Sequence, residues 1–358
     1  MLQQRVGFLK KKLKENDVDA LLVSNFYNIL YLSGFQTLVD NEREAWLLVT
    51  QKNEYLFTDE RYSSQSHNIR YIKPEKRLVR HLQEVVDEEQ IKTIGFESED
   101  LKFSEYSAFN KAIKNAELVP LQNLIIKQRE IKDDREIEKV RSACQIADQC
   151  LSEIVKTISI GQSEKEIAFR IEFWLKKKAY GLAFDPIVAV DANSAIPHYD
   201  TKTGDDKKIN EGSIVLIDFG AKHESYLSDM TRMVFAGRPG GEMVNAYNNL
   251  LSAQKRTVEK LKIGVSLKDV DSFCRAEMDS LGLPNYSHST GHGVGLEIHE
   301  LPKISFSSDD KAIINQIITV EPGVYISGRW GMRIEDTVVI GTDGAKPLTL
   351  FDKKMLVI

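Results

Sequence analysis

The chain has 358 residues, 42% hydrophobic and 28% charged, with a formal net charge of −5. That length suits two domains, and the dispersed charge holds no basic block of the kind that binds nucleic acid. The three cysteines, Cys144, Cys150 and Cys274, show no metal-type spacing, and their odd number argues against a disulfide framework and fits a reducing compartment. No apolar run is long enough to span a bilayer, and the N-terminal "MLQQRVGFLKKKLKEN" lacks a signal-peptide core. The expectation is a cytoplasmic protein with no nucleic-acid or membrane partner.

Leu2, Val6, Leu9 and Leu13 recur at helical spacing and predict a helix over 2–15. Apolar runs at 19–25, 45–50, 54–59 and 93–98 predict short strands, alternating with helices over 76–88 and 104–115. This is an α/β unit with its own core. "NILYLSGF" (28–35) reads as core or subunit contact. The polar run "KQREIKDDRE" (127–136) is the candidate boundary, giving domains 1–127 and 128–358, and leads into a long helix to about Ile158. "SEKE" at 163–166 has the capping-box form and starts a helix through about Ala179. Two further helices are predicted over 241–261 and 266–282, the second stopped by a glycine. Strands read from "IVAV", "SIVLIDFG", "YLSDMTRMVF", "IITVEPGVYI" and "MRIEDTVVI". Strand pairs follow helices twice, around 214–235 and 317–340, a coarse duplication that fits an α+β domain of two related halves.

The stretch "HSTGHGVGLEIHE" (288–300) holds three of the seven histidines among three glycines. In "SIVLIDFGAKHESYLSDMTRMVF", a turn at His223-Glu224 puts Asp218 opposite Asp229. Such cross-strand neighbours have Cβ atoms ~5 Å apart, and two like charges there weaken a hairpin unless a cation lies between them. The alternatives are loop-edge aspartates or a different register. A turn centred on Gly328 likewise puts Glu321 opposite Glu335, with Arg333 on the same face by strand periodicity; a surface glutamate pair with an arginine salt bridge is the plainer reading. Two hairpins with matched acids beside a glycine-rich histidine loop point to metal. Four negative charges match two divalent cations, and one imidazole among hard oxygens suits Mn²⁺ best, with Co²⁺, Zn²⁺ or Fe²⁺ as alternatives. Bridging carboxylates would let both ions activate one water. No Ser or Cys nucleophile constellation or phosphate loop is present. His67, His81 and His223 read as surface residues.

Together, "LIDFGAKHESYLSDMTR", "HSTGHGVGLEIHE", "TVEPGVYI" and "MRIED" resemble the pita-bread metallopeptidases, in the Xaa-Pro branch of aminopeptidase P and prolidase. The resemblance spans nearly the whole chain. "NILYLSGF" and "LFTDERY" (56–62) are similar to the creatinase-type N-terminal domain. It implies an α/β creatinase-like N-terminal domain and an α+β pita-bread catalytic domain. It also implies that Asp218 chelates one metal, Asp229 and Glu335 bridge both, and His292 and Glu321 complete the other. By the same resemblance His198 and His299 contact substrate, His299 stabilises the oxyanion, Glu321 relays a proton, and Arg333 stands beside the metals. His288 corresponds to a histidine near the centre, with a packed structural role as the alternative. The implied substrates are peptides with proline in second position, and the implied assembly is a homodimer. Dipeptidase and aminopeptidase activity both stay open, as do a methionine-type or general aminopeptidase and a non-catalytic peptide-binding protein on the same fold.

Overall fold

A computed structural model describes residues 2–37, 43–59, 61–62, 70–72, 78–178 and 180–358, with 70–72 described by backbone alone. His67, Glu60 of "LFTDERY", the start of the helix expected over 76–88 and Ala179 lie outside the described residues. The chain divides into two compact units, Met1–Arg129 and Glu130–Ile358. No helix among the described residues is long and apolar enough to cross a membrane.

The first unit is built on a six-stranded mixed sheet. Its strand order is Arg70–Ile72, Glu54–Thr58, Ala45–Thr50, Ala20–Val23, Thr93–Glu97 and Glu117–Leu121. The central strand Ala20–Val23 is buried along its whole length, which is why its sequence is continuously apolar rather than alternating. Leu82, Val85 and Val86 of the helix Leu78–Glu89 and Phe109 of Phe103–Ala112 pack with Leu22, Leu48 and Ile94 of this sheet in one apolar cluster. The "NILYLSGF" segment falls largely in a helix that the sequence reading did not separate. Phe26–Ser33 starts at Asn25, whose side chain accepts from Asn28 N, and ends at Gly34 with φ 73°.

The second unit carries the expected helices, now bounded at Asp134–Ile154, Glu164–Lys177, Gly241–Lys260 and Leu267–Ser280. A 3-10 turn Val155–Thr157 extends the first of them. Its strands form a four-stranded sheet (Leu356–Val357, Met230–Phe235, Ile214–Phe219, Ile187–Val190) and a five-stranded sheet (Glu300–Ile304, Gly291–Gly293, Ile317–Val320, Asp336–Gly341, Gly344–Pro347). Smaller pairings complete it, including the hairpin Gly323–Ile326 with Trp330–Arg333.

The duplication is visible in backbone bonding. Ser163 bridges Lys208, and Ser266 bridges Lys311, each partner shifted by 103 residues. The same offset relates Glu164 N→Lys207 O to Leu267 N→Asp310 O, and Gly161 N→Ile209 O to Gly264 N→Ala312 O.

The two hairpins differ in how well their registers follow from sequence. Gly323 pairs with Arg333 and Val320 with Asp336, so the expected alignment of Glu321 with Glu335 is kept on both flanks. In the other hairpin Asp218 pairs with Thr231, not with Asp229. The turn falls one residue later, at Glu224 and Ser225, with φ of 45° and 69°. Two successive positive φ values match the right-handed twist of the flanking strands. His223 consequently lies in strand Ala221–His223, half-buried with its ring edge-on to Tyr180, rather than in the turn. Three runs expected as continuous strands are broken, and Asp229, Glu321 and Glu335 occupy the breaks.

The division between the units falls inside the polar run 127–136, whose Arg129, Glu130, Lys132 and Glu136 are all buried. Lys132 pairs with Glu300 at 3.1 Å, and Glu136 accepts from Tyr226 Oη at 2.8 Å. A second buried network centres on Asp336, which accepts from Arg232 Nη2 (2.8 Å), Gln254 Nε2 (3.0 Å), Thr349 Oγ1 (3.1 Å) and Lys353 Nζ. Burial pushes the Asp336 carboxyl up, but Arg232 and Lys353 outweigh it and hold the group below the usual carboxylate range. Asp336→Ala leaves the Arg232 guanidinium buried and stripped of its carboxylate. We expect a loss of about 3–5 kcal/mol, read as the shift in denaturant midpoint of the metal-free protein. A loss within about 0.5 kcal/mol, the range of an ordinary surface change, would show that buried Arg232 does not depend on this carboxylate.

Candidate metal centre

A cavity of about 420 Å³ opens in the second unit. Its wall includes all nine residues singled out from sequence: His198, Asp218, Asp229, His288, His292, His299, Glu321, Arg333 and Glu335. Asp218 projects from within a buried strand, while Asp229, Glu321 and Glu335 project from strand breaks. His292 sits in the short strand Gly291–Gly293, where a β-bulge shifts the register between His292 and Gly293 and turns the imidazole inward. Gly291 is required there because a Cβ would stand 1.9 Å from the Thr319 carbonyl oxygen.

Asp229, His292 and Glu335 each offer a ligand atom within a group no wider than 4.8 Å. Glu321 joins them through His292, whose Nε2 lies 3.3 Å from Glu321 Oε1 and 3.6 Å from Asp229 Oδ2. His292 Nδ1 is 3.1 Å from the Gly293 carbonyl oxygen, which fixes the proton on Nδ1 and leaves the Nε2 lone pair facing carboxylate oxygens. Burial lowers the His292 pKa to about 4, so the ring is neutral near pH 7. A lone pair and two acids facing one another at these distances call for a cation between them.

The carboxylates give the same indication. Burial, then Glu335, Asp218 and Glu321, push the Asp229 carboxyl well above its ordinary range. Burial, then Glu321 and Asp218, do the same to Glu335. Burial also raises Glu321, against the pull of His288 and Arg333. Asp218 stands slightly apart: its Oδ2 pairs with Arg333 Nη2. Asp218 Oδ1 and Asp229 Oδ1 are buried without a hydrogen-bond partner. Buried oxygens of that kind are normally satisfied, and hard divalent cations take such ligands. The donor set therefore fits metal.

Neighbouring groups fix these side chains. Thr231 Oγ1 donates to Glu335 (2.7 Å) and accepts from Arg333 Nε (2.9 Å). Thr319 Oγ1 accepts from His292 N (3.0 Å) and donates to Glu321 (3.2 Å). Arg333 Nη1 donates to the Pro197 carbonyl oxygen (3.1 Å) and to Tyr325 Oη (2.9 Å). His288 lies behind this layer, with Nε2 3.0 Å from Tyr325 Oη and Nδ1 3.9 Å from Glu321. Its ring also stacks on Tyr286, so its contacts are those of a packed residue near the centre. His299 is open to the cavity, edge-on to His292 with centroids 4.5 Å apart, and partial burial followed by His292 disfavours its imidazolium. His81 belongs to the first unit, where it is half-buried beside Glu84 rather than on the surface. The sequence reading missed Thr231, Thr319 and Tyr325. Strand periodicity could have found them, since each lies two or four residues from an identified acid and so faces the same way.

Residues 138–342 match the profile of metallopeptidase family M24, and residues 5–131 match the creatinase/prolidase N-terminal domain. The chain is 33% identical to the Xaa-Pro dipeptidase of Pyrococcus horikoshii over 361 residues, 99% of each protein. It is 35% identical to the Xaa-Pro dipeptidase of Pyrococcus furiosus over 363 residues, covering 99% of this chain and 100% of that one. Among solved structures, an Xaa-Pro dipeptidase from Bacillus anthracis superposes over all of both chains with a TM-score of 0.94 at 33% identity. An X-Pro aminopeptidase from Thermotoga maritima gives a TM-score of 0.88 at 33% identity, covering 97% of this chain and 100% of that one. With these full-length similarities and a donor set suited to divalent metal, the chain belongs to metallopeptidase family M24, with a creatinase/prolidase N-terminal domain ahead of a pita-bread catalytic domain, and is a metal-dependent peptide hydrolase.

Proposed function

We propose that this protein is a dinuclear-metal Xaa-Pro dipeptidase, which hydrolyses the bond between an N-terminal residue and proline. The observation that carries the reading is the convergence of buried carboxylates on the His292 lone pair. Asp218, Asp229, His292, Glu321 and Glu335 would hold two divalent ions, which balance four carboxylate charges. One nitrogen among many oxygens favours Mn²⁺. When bound, such ions supply Lewis-acid chemistry: they polarise a carbonyl and lower the pKa of water.

The chain's own groups do the rest. Glu321, half-buried at the cavity, would accept the proton of the attacking water and return it to the departing proline nitrogen, the relay role its resemblance to the family implies. His299, neutral near pH 7, donates a hydrogen bond to the developing oxyanion. His198 stands at the same cavity on the substrate side, and Phe184, Ile187 and Ile298 give the imino ring an apolar wall. Arg333 holds Asp218 in place. Proline suits such a site because it has no amide N–H and a fixed φ, so recognition rests on ring shape.

Lys303 favours dipeptides. It is exposed, lines the cavity, and no described residue pairs with it. A dipeptide ends in a carboxylate one residue beyond the scissile bond, within the reach of such a cation; a longer peptide carries an amide there. The names of the full-length relatives agree with this choice. The setting in this reading is a cytoplasmic homodimer, and three buried cysteines without disulfides support the reducing compartment.

Two predictions test the reading. Metal-free protein should take up close to two Mn²⁺ per chain by elemental analysis. Because Asp229, Glu321 and Glu335 hold protons more tightly than ordinary carboxylates, loading should release protons into weak buffer, and affinity should fall as pH falls. His292, already neutral, contributes none of them. Glu335→Ala should lose both metal and activity. Uptake of one ion, or none, would refute the dinuclear assignment. The second concerns substrate: kcat/KM for Ala-Pro should exceed that for Ala-Ala by at least ~10²-fold, the scale of a rejection built into site shape. Lys303→Met should raise KM for Ala-Pro about ten-fold while leaving Ala-Pro-Ala amide unchanged, since a charged hydrogen bond is worth ~1.5–3 kcal/mol. Equal rates for proline and alanine would remove the Xaa-Pro assignment. An equal effect of Lys303→Met on both substrates would remove the dipeptide preference alone.

A further inference from the structure

The helix Glu164–Lys177 begins with a buried acid that its own helix does not use. Ser163 accepts from Glu166 N at 3.3 Å and Glu166 accepts from Ser163 N at 2.8 Å, so the capping box is complete without Glu164. The Glu164 side chain, with no exposed surface, turns away from the helix instead. It accepts from Val190 N (2.6 Å), Asn193 Nδ2 (3.0 and 3.1 Å), Tyr199 Oη (2.9 Å) and Lys207 N (3.0 Å). All four donor residues lie between 190 and 207, and this segment carries His198.

His198 has no anchor of its own. Its side chain is exposed at the cavity, and no described group hydrogen-bonds its imidazole. Its position is therefore set by the backbone on either side. Tyr199, the next residue, is buried with its hydroxyl on Glu164, and Gly204 closes over it so tightly that a Cβ would stand 2.1 Å from that hydroxyl. Burial, then the bond to Glu164, push the Tyr199 pKa up to about 12, so it remains a donor. From the opposite side, Ser194 Oγ accepts from Gly331 N (2.8 Å) and Pro197 O accepts from Arg333 (3.1 Å). The segment is clamped between the metal-site hairpin and one buried carboxylate.

The duplicated half supplies an internal comparison. The residue 103 positions after Glu164 is Leu267, which makes the equivalent backbone bond and is fully buried. This element folds with an apolar residue there, so the acid at 164 is not a requirement of the architecture. We propose that Glu164 is a positioning residue for catalysis, its carboxylate fixing the segment that holds His198 in the substrate cavity. This rests on the reading of His198 as a substrate contact.

A double-mutant cycle on the metal-loaded protein tests it, using Glu164→Gln, His198→Ala and the pair, with Ala-Pro as substrate. A glutamine amide cannot accept from all four donors. We expect Glu164→Gln to keep the wild-type metal content and to lower kcat/KM by ~10-fold or more, the cost of a displaced contact. The loss should fall in the same parameter, kcat or KM, that His198→Ala changes. In the His198→Ala background Glu164→Gln should change kcat/KM by less than about two-fold, because coupled residues are not additive. Tyr199→Phe, which removes one donor and keeps the ring, carries the same test with a smaller expected loss where Glu164→Gln yields too little folded protein. Fully additive losses, or loss of metal in Glu164→Gln, would overturn the positioning role while leaving the proposed function standing. If His198→Ala alone has no effect, the reading of His198 fails, and this proposal fails with it.

Discussion

Mutual repulsion among Asp218, Asp229, Glu321 and Glu335 is the constraint around which the second unit is organised. With four acids brought together, Asp229, Glu321 and Glu335 resist ionisation, each carboxyl raised above its ordinary range. Without cations the arrangement is held against its own electrostatics, so the surrounding fold has to be stiff. Most of the unusual features nearby serve that end. Strands break where Asp229, Glu321 and Glu335 stand, threonines tie Glu335 to Arg333 and Glu321 to the His292 backbone, and Arg333 sits buried among the acids as a fixed positive charge.

The stiffness is layered. Next to the acids, Thr231 and Arg333 connect Glu335, Asp218 and the Pro197 carbonyl oxygen. One residue further on, Asp336 is embedded among Arg232, Gln254, Thr349 and Lys353, and Arg232 Nη1 also donates to the Glu335 carbonyl oxygen. The backbone of a proposed ligand is thus held by a charge pair of the opposite kind to the site itself, one in which acid and base are matched. On the histidine loop, Glu300 accepts from Leu296 N and Glu297 N and pairs with buried Lys132, which steadies the chain just before His299. Such networks act through rigidity more than through net stability, since burying paired charges is close to neutral in free energy.

How much of this could be read from the chain depends on which signal each part left. The acids were legible because they interrupt apolar strands, and the alignment of Glu321 with Glu335 followed from a turn centred on Gly328. The other hairpin slipped because its turn uses Glu224 and Ser225 at positive φ, a conformation usually marked by Asn or Gly. The helix Phe26–Ser33 was hidden because Asn28, Ile29, Tyr31, Leu32 and Ser33 are all buried, which removes the polar stripe that reveals most helices. The division between the units falls inside the run 127–136, the boundary candidate, but the partners of its buried charges left no local signal. No local pattern reports a partner more than a hundred residues distant, as for Lys132 with Glu300 or Arg232 with Asp336.

The 103-residue offset in backbone bonding has a consequence for ancestry. Asp218 and Asp229 come from the first half of the second unit, while His292, Glu321 and Glu335 come from the second. Neither half alone holds the four acids that the proposed two-ion centre would need. On the proposed function, a protein containing a single such half would complete the centre only by pairing with another copy of itself across a two-fold axis. Joining the copies in one chain freed each to diverge. One could then keep Leu267 at the head of its helix while the other placed Glu164 there, a difference that a symmetric pair of identical chains could not have encoded.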